Sequence, residues 1–320
     1  MLDLSNVSKR FSKRLDAVEK LARRLGAKVA EHTVHAVDSV SLRVARGEVV
    51  GLVGESGCGK STVGRLACGL LQPDEGRVLY KGEPIHGKAR PQMIFQDPFA
   101  SLNPRMRVEE IVGEAPLVHG LIAKSELRDY VDDMLKKVGL DPSYRRRYPH
   151  QFSGGQRARI GIARALAVKP DFLVCDEAVA ALDVSIQAQV LNLFMDLRES
   201  LGLTYLFISH DLGVVRHLAG RVVVMYLGRV VESAPTAALY DQPNHPYTQA
   251  LLGEVPRLER RRRDFVPIKG EIPSPLAPPA GCHFHPRCPR AMDRCSREAP
   301  ALREIAPGRL SACHLNDRHG

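Results

Sequence analysis

Val49 to Leu71 reads VVGLVGESGCGKSTVGRLACGLL. A short apolar run, Val49–Val53, passes through Gly54, Glu55, Ser56, Gly57, Cys58, Gly59, Lys60, Ser61 and Thr62 into a stretch with apolar periodicity. The order is strand, glycine-rich loop, helix, and the loop fits G-x-x-x-x-G-K-[ST]. Its glycines let the backbone curl so that successive N–H groups aim at phosphate oxygens, at the positive end of the following helix. In such a loop Lys60 reaches the β- and γ-phosphates and the Ser61 hydroxyl ligates Mg²⁺. The stretch predicts a nucleoside triphosphate site in an α/β fold.

Downstream, PDFLVCDE is an apolar strand ending in two carboxylates, Asp176 and Glu177. After a phosphate loop, the first acid is placed to hold Mg²⁺ with the loop serine and the second to polarise a water. TYLFIS, another apolar strand, ends on His210, and PQMIFQD ends on Gln96. Strand ends on one edge of a parallel sheet are where ligands gather. Helical patterns at Val108–His119 and Lys124–Val138 predict a mostly helical insertion over residues 99–168. It closes on Phe152, Ser153, Gly154, Gly155 and Gln156, directly before RARIGIARAL, whose Ile160, Ala163, Leu166 and Ala167 share a helical face. A Ser-Gly-Gly opening a helix is a second anion site of the same physical type, though Ser-Gly-Gly is also a common loop.

Upstream, LDLSNVSKRF reads as an edge strand ending near Phe11, and HAVDSVSLRVARG as a strand and turn leading into the loop. Between them Leu15, Val18, Leu21, Leu25 and Val29 recur at helical spacing among Lys and Arg, predicting a basic amphipathic helix over residues 12–32. Such a helix packs one face on the body or touches lipid headgroups or a partner. The net charge of +10 lies at the ends: residues 1–34 carry 8 basic and 4 acidic side chains, 35–255 carry 25 of each, and 256–320 carry 13 and 7. No apolar run reaches the length of a membrane span and no signal-peptide core opens the chain, so a cytosolic protein is expected.

Cys58, Cys68 and Cys175 fall in apolar or tight segments and read as small buried residues. A basic run, Glu259 to Arg263, and PSPLAPPAG mark a linker; Cys282, Cys288, Cys295 and Cys313 follow among histidines and prolines. That density in a cytosolic tail argues for a metal rather than disulfides. Four thiolates suit zinc or an iron–sulfur cluster, and a tail so poor in hydrophobic pattern needs a staple. Unligated cysteines are the third reading.

Taken in order, these motifs resemble the ATP-binding subunits of ABC transporters. The resemblance spans residues 1 to about 255 and includes Ala181, Leu182 and Asp183. It implies a P-loop NTPase fold of the ABC type, with a helical insertion and a small irregular cysteine-containing C-terminal region at 256–320. It also implies Glu177 as general base, His210 as γ-phosphate sensor, and Gln96 as sensor of Mg²⁺, the lytic water and the membrane subunit. Ser153, Gly154 and Gly155, with Gln156 and Asp183 beside them, would face ATP held by an opposing subunit, and Phe11 would stack on adenine. FQDPFASLNPR, LDVSIQAQVL, HPYTQALL and GEIPSPLAPPAGCHFHPRCP resemble the oligopeptide/dipeptide importer branch, which includes nickel importers. That branch implies a heterodimer with a second ATPase, two transmembrane permease subunits, an external substrate-binding protein and a peripheral place on the cytoplasmic face of the inner membrane. It also implies a [4Fe–4S] cluster on the four tail cysteines. Ala178 and Ala180 stand where the family usually has Pro and Ser; neither removes a ligand or base, so hydrolysis is expected to survive. Nickel or oligosaccharide cargo would use the same chemistry. A soluble ATPase acting on nucleic acid is disfavoured by the neutral body, the single phosphate loop and a tail without basic surface interleaved with aromatics.

Overall fold

The computed structural model describes residues 1–12, 33–85, 91–97, 100–254 and 270–317. The expected basic helix and the run from Glu259 to Arg263 lie outside the described residues.

Among the described residues the strands form two sheets. The larger is built on β3 (Val49–Val53), flanked in parallel by β8 (Thr204–Ser209) and β9 (Arg221–Tyr226). Beyond β8 lie β7 (Phe172–Asp176) and β6 (Gln92–Ile94), also parallel. Every residue of β3, β7 and β8 is buried, as expected of near-continuous apolar runs in a parallel sheet covered on both faces.

The period-2 alternation of the strands separates two cores. Val49, Val53, Leu173, Cys175, Tyr205 and Phe207 face one way. They meet α2 (Val108–Val118), α3 (Leu127–Lys137), α4 (Gly154–Leu166) and α5 (Val184–Leu201) through Ile111, Val131, Ile160 and Phe194, among others. Val50, Leu52, Phe172, Val174, Leu206 and Ile208 face the other way, onto α1 (Lys60–Ala67) and the smaller sheet.

The smaller sheet has the order β2–β1–β4–β5, with β1 (Leu2–Ser12), β2 (Thr33–Val44), β4 (Glu75–Tyr80) and β5 (Glu83–Pro84). The first strand is therefore not an edge. It pairs antiparallel with β2 on one side and β4 on the other, placing Leu2 opposite both Val44 and Tyr80. Its alternation reports a half-buried strand but carries no signal for the number of its neighbours.

On its other side the large sheet continues antiparallel from β9 through β10 (Arg229–Pro235) to β12 (Arg309–Ser311) and β11 (Arg303–Ala306). A hairpin from the C-terminal region thus caps the sheet edge. Before β11–β12, α6 (Leu212–Leu218), α7 (Thr236–Asp241) and α8 (Pro246–Gly253) line the way from β8 toward the tail.

Candidate nucleotide site

The loop between β3 and α1 runs through Gly54, Gly57 and Gly59 at φ of 150°, 78° and 105°. At Gly59 a Cβ would lie 2.1 Å from the Ala36 carbonyl oxygen, so only glycine fits there. Gly59 is also the N-cap of α1 and supplies no side-chain cap, which leaves the leading N–H groups of the helix available for phosphate. Ser56 and Gly57 are exposed and Thr62 is half-buried in the first turn. Cys58 is buried, and burial pushes its thiol up, keeping it neutral. Lys60 is 4% exposed, and its Nζ donates to the carbonyls of Gly54 (2.7 Å) and Glu55 (3.0 Å). The loop thus already holds its lysine inside the curve that would receive phosphates.

Ser61, in the first turn of α1, donates from Oγ to Oδ1 of Asp176 at 3.0 Å. Asp176, at the end of β7, is buried; burial raises its carboxyl, the Ser61 bond opposes that rise, and the neighbouring Glu177 charge adds to it. A buried carboxylate beside a hydroxyl is a site short of positive charge. Mg²⁺ is typically held by one or two carboxylates plus substrate phosphates, so Ser61 and Asp176 fit it without a further protein ligand.

Glu177 has φ of 48°, an uncommon conformation for a side chain of its size. Its N–H donates to the Ile208 carbonyl at 3.0 Å, tying the strained peptide to β8. Its two oxygens meet different partners: Gln96 Nε2 donates to Oε2 at 2.6 Å, and His210 Nδ1 lies 3.2 Å from Oε1. Gln96, Glu177 and His210 come from the ends of three strands and meet beside the Ser61–Asp176 pair. Gln96 meets Glu177 here, while Ser61 carries the contact to Asp176.

Ser153 caps α4: its Oγ accepts from the Gln156 N–H (3.3 Å) and the Gln156 side-chain oxygen accepts from the Ser153 N–H (3.1 Å). Gly155 lies against Ile186, where a Cβ would meet its Cγ2 at 2.4 Å, and Gly154 lies near Leu182. The stretches at 153–156 and 181–183 are therefore neighbours, with exposed Asp183 as N-cap of α5. The hydrogen bonds of Ser153 and Gln156 go to each other rather than to the phosphate loop. Phe11 stands at the end of β1, 42% exposed, with Lys9 Nζ 5.8 Å from its ring centre.

Cys58, Cys68 and Cys175 are buried free thiols. In the tail Cys295 is buried and Cys282, Cys288 and Cys313 are half-buried, all free. Burial pushes Cys282 up to about 11, with the other three thiols adding to the rise. Among the described residues no three His, Cys, Asp or Glu side chains are arranged to hold a metal ion. A metal centre on the four tail cysteines is therefore not supported by the structure. Nor does the tail need a metal as its staple, because it is fastened by other means. Phe284 is 1% exposed and packs on Tyr226 and Tyr247 with ring centres 5.2 and 5.3 Å apart. Such a plug contributes about 2 kcal/mol. Asp317 binds His314, Arg294 and Arg303, each at 3.0 Å.

Sequence reading did not find two residues that touch the loop. Tyr247 Oη accepts from the Glu55 N–H at 2.9 Å, and Arg287 binds the Glu55 carboxylate through both terminal nitrogens, at 2.8 and 3.0 Å. Glu55 thus faces the C-terminal region. Both residues sit in stretches, HPYTQALL and HPRCP, that marked the branch without revealing a contact.

No helix among the described residues is long and apolar enough to cross a membrane. Residues 37–180 match the ABC transporter family, and residues 231–295 match the family described as oligopeptide/dipeptide transporter, C-terminal region. The chain is 52% identical over 295 residues to the oligopeptide transport ATP-binding protein AppF of Bacillus subtilis, covering 88% of this chain and 90% of AppF. Among solved structures, the ATP-binding cassette MJ0796 in a dimeric post-hydrolysis state with ADP and Pi aligns with a TM-score of 0.62. It is 27% identical, covering 74% of this chain and 99% of that one. The cbiO1 component of the Clostridium perfringens cbiONQ transporter aligns with a TM-score of 0.61 at 26% identity, over 75% of this chain and 90% of that one. With the strand, loop and acid geometry in place, these matches make the chain a member of the ABC transporter ATPases, in the branch of oligopeptide/dipeptide transport ATP-binding proteins.

Proposed function

We propose that this subunit hydrolyses ATP to power uptake of di- or oligopeptides through a membrane transporter. The observation that carries the reading is the meeting of Gln96, Glu177 and His210 beside the Ser61–Asp176 pair. Lys60 and the loop N–H groups bind the phosphates, and Ser61 and Asp176 would hold Mg²⁺, which would neutralise charge developing on those phosphates. Glu177 takes the proton of the attacking water, with Gln96 orienting that water and its carboxylate. His210 donates toward the γ-phosphate, and Phe11 offers its exposed ring to adenine. Ser153, Gly154 and Gly155 face ATP held by a second subunit, so the nucleotide joins two ATPases and its hydrolysis parts them. The differential affinity of the joined state moves the membrane partners between two conformations.

The finer assembly is a heterodimer of ATPases on the cytoplasmic membrane face, beneath two permease subunits fed by an external binding protein. The neutral body gives no footing for nucleic acid. Residues 1–255 form the nucleotide-binding part, with a helical subdomain at about 99–168, and 256–320 form its C-terminal extension. Gentle purification of the tagged chain from its own membranes tests this: two multi-span proteins and a second ATPase are expected, and nucleic acid without membrane proteins would overturn it. A [4Fe–4S] cluster on Cys282, Cys288, Cys295 and Cys313 would rest on the four-thiol composition alone, since the arrangement of the thiols gives it no support. Iron and sulfide assays on anaerobically purified protein test it, and metal-free chain overturns it.

A further inference from the structure

Glu55 sets a carboxylate in the phosphate loop, and a carboxylate repels the ligand the loop is shaped to bind. The structure shows how that charge is handled. Arg287, 232 residues away in sequence, meets it in a two-pronged ion pair, with side-chain exposures of 5% for Arg287 and 21% for Glu55. Two parallel N–H···O bonds fix orientation as well as neutralise charge. Arg287 also reaches Tyr226 Oη at 3.4 Å, while its Nε is buried without a hydrogen-bond partner among the described residues. The guanidinium thus depends on Glu55 for its charge balance.

Glu55 is held at its backbone too. Its N–H binds Tyr247 Oη, and its carbonyl accepts from Lys60 Nζ. Tyr226, Tyr247 and Phe284 form one aromatic cluster beneath these contacts, with the two tyrosine ring centres 4.7 Å apart. A single loop residue therefore links the phosphate-reaching lysine to α8 and to the C-terminal region.

We propose that Arg287 is a positioning residue for ATP binding: by holding and neutralising Glu55, it sets the shape and potential of the phosphate loop, so the C-terminal region governs nucleotide affinity. The pair is partly desolvated and is therefore screened less than a surface pair. The proposal rests on the loop binding ATP and adds a determinant that the loop motif does not contain.

The test is ATP affinity of the purified full-length chain, measured by titration at two salt concentrations, with thermal stability followed alongside. Arg287→Met leaves a carboxylate unpaired beside the phosphates and is expected to weaken ATP binding about tenfold, within the usual range of coupling between sites. The loss should shrink at high salt. Adding Glu55→Gln to Arg287→Met removes both charges and should restore affinity to within about threefold of the parent. A merely structural brace would lower the melting temperature and leave the affinity of folded protein unchanged. ATP affinity of folded Arg287→Met within twofold of the parent, or no recovery in the double variant, overturns the proposal. Should Arg287→Met not fold, Glu55→Asp, which draws the carboxylate back by one methylene, takes its place under the same twofold criterion. A parent chain that binds no ATP overturns the nucleotide reading and this proposal together; a binding parent with unchanged variants overturns this proposal alone.

Discussion

Two helices in this protein begin at glycine-containing loops, and they begin differently. The phosphate loop enters α1 through glycines at positive φ, leaves the first turn without a side-chain cap, and folds a buried lysine back into its curve. The Ser-Gly-Gly stretch enters α4 through an ordinary capping box, with Ser153 and Gln156 satisfying each other. Both are positive helix ends. Only the first is a cradle in itself; the second is a closed cap whose hydroxyl must leave its own helix to serve a phosphate. The difference teaches that the same helix-end physics leaves N–H donors open to a phosphate in one place and closes them within the helix in the other.

If the second helix end meets ATP held by a partner, blocking hydrolysis should trap the pair. Glu177→Gln is expected to lower kcat by about 10²–10⁴-fold, as for loss of a general base, while ATP affinity holds and an ATP-dependent dimer appears in size-exclusion chromatography. Turnover close to that of the parent would remove Glu177 from the role of base. A nucleotide-trapped chain that stays monomeric in the presence of its partner would break the comparison itself.

A third helix start sharpens it. His245 caps α8, accepting from the Tyr247 N–H at Nδ1 (3.1 Å), and burial lowers its pKa from 6.5 to about 4. The folded state binds the proton less readily than the unfolded chain, so the stability from this group is complete above about pH 6.5 and is lost as pH falls toward 4. The full loss is about 3 kcal/mol. Urea unfolding between pH 7 and 4 should show that slope, and His245→Asn should flatten it. An unchanged slope in the variant would place the acid sensitivity elsewhere.

Alanine separates the two loops directly. Gly59→Ala forces a side chain onto the Ala36 carbonyl at positive φ and should cost at least about 1–3 kcal/mol of stability, together with ATP binding. Gly154→Ala places its Cβ 3.6 Å from Leu182, an ordinary contact inside a helix, and should be neutral or stabilising by up to about 1 kcal/mol. Equal destabilisation in both variants would mean the α4 start is as constrained as the phosphate loop. The smallest effect expected is from Ser153→Ala, about 1 kcal/mol of stability from the lost cap, with ATP affinity of the isolated chain unchanged.

Much of the site was legible because its parts are short and local. β3, the loop and α1 occupy one continuous stretch, and Asp176, Glu177, Gln96 and His210 each sit at or just past a strand end, where an apolar run stops. Helices expected at Val108–His119 and Lys124–Val138 lie at Val108–Val118 and Leu127–Lys137, the second preceded by a tight turn at Lys124–Glu126. Other features were not legible. Alternation in β1 showed a buried face but not that β4 would cover its free edge. Cysteine density suggested a metal, yet Phe284 and the Asp317 ion pairs fasten the tail, and neither stands out among its prolines and arginines.

By itself the sequence determined the chemistry available to the protein: a loop whose glycines and lysine admit phosphates, two acids and a histidine at strand ends, and a cap at Ser153. Each is set by backbone geometry and hydrogen bonding within a few residues, so a local window contains it. Only the tertiary structure decided that Glu55 is neutralised by Arg287, that Tyr247 supports the loop, and that a tail hairpin extends the main sheet. Those pairings join residues far apart in the chain. Their energy comes from burying opposite charges, rings and strand edges together, and no local pattern records which distant partner will be brought to meet them.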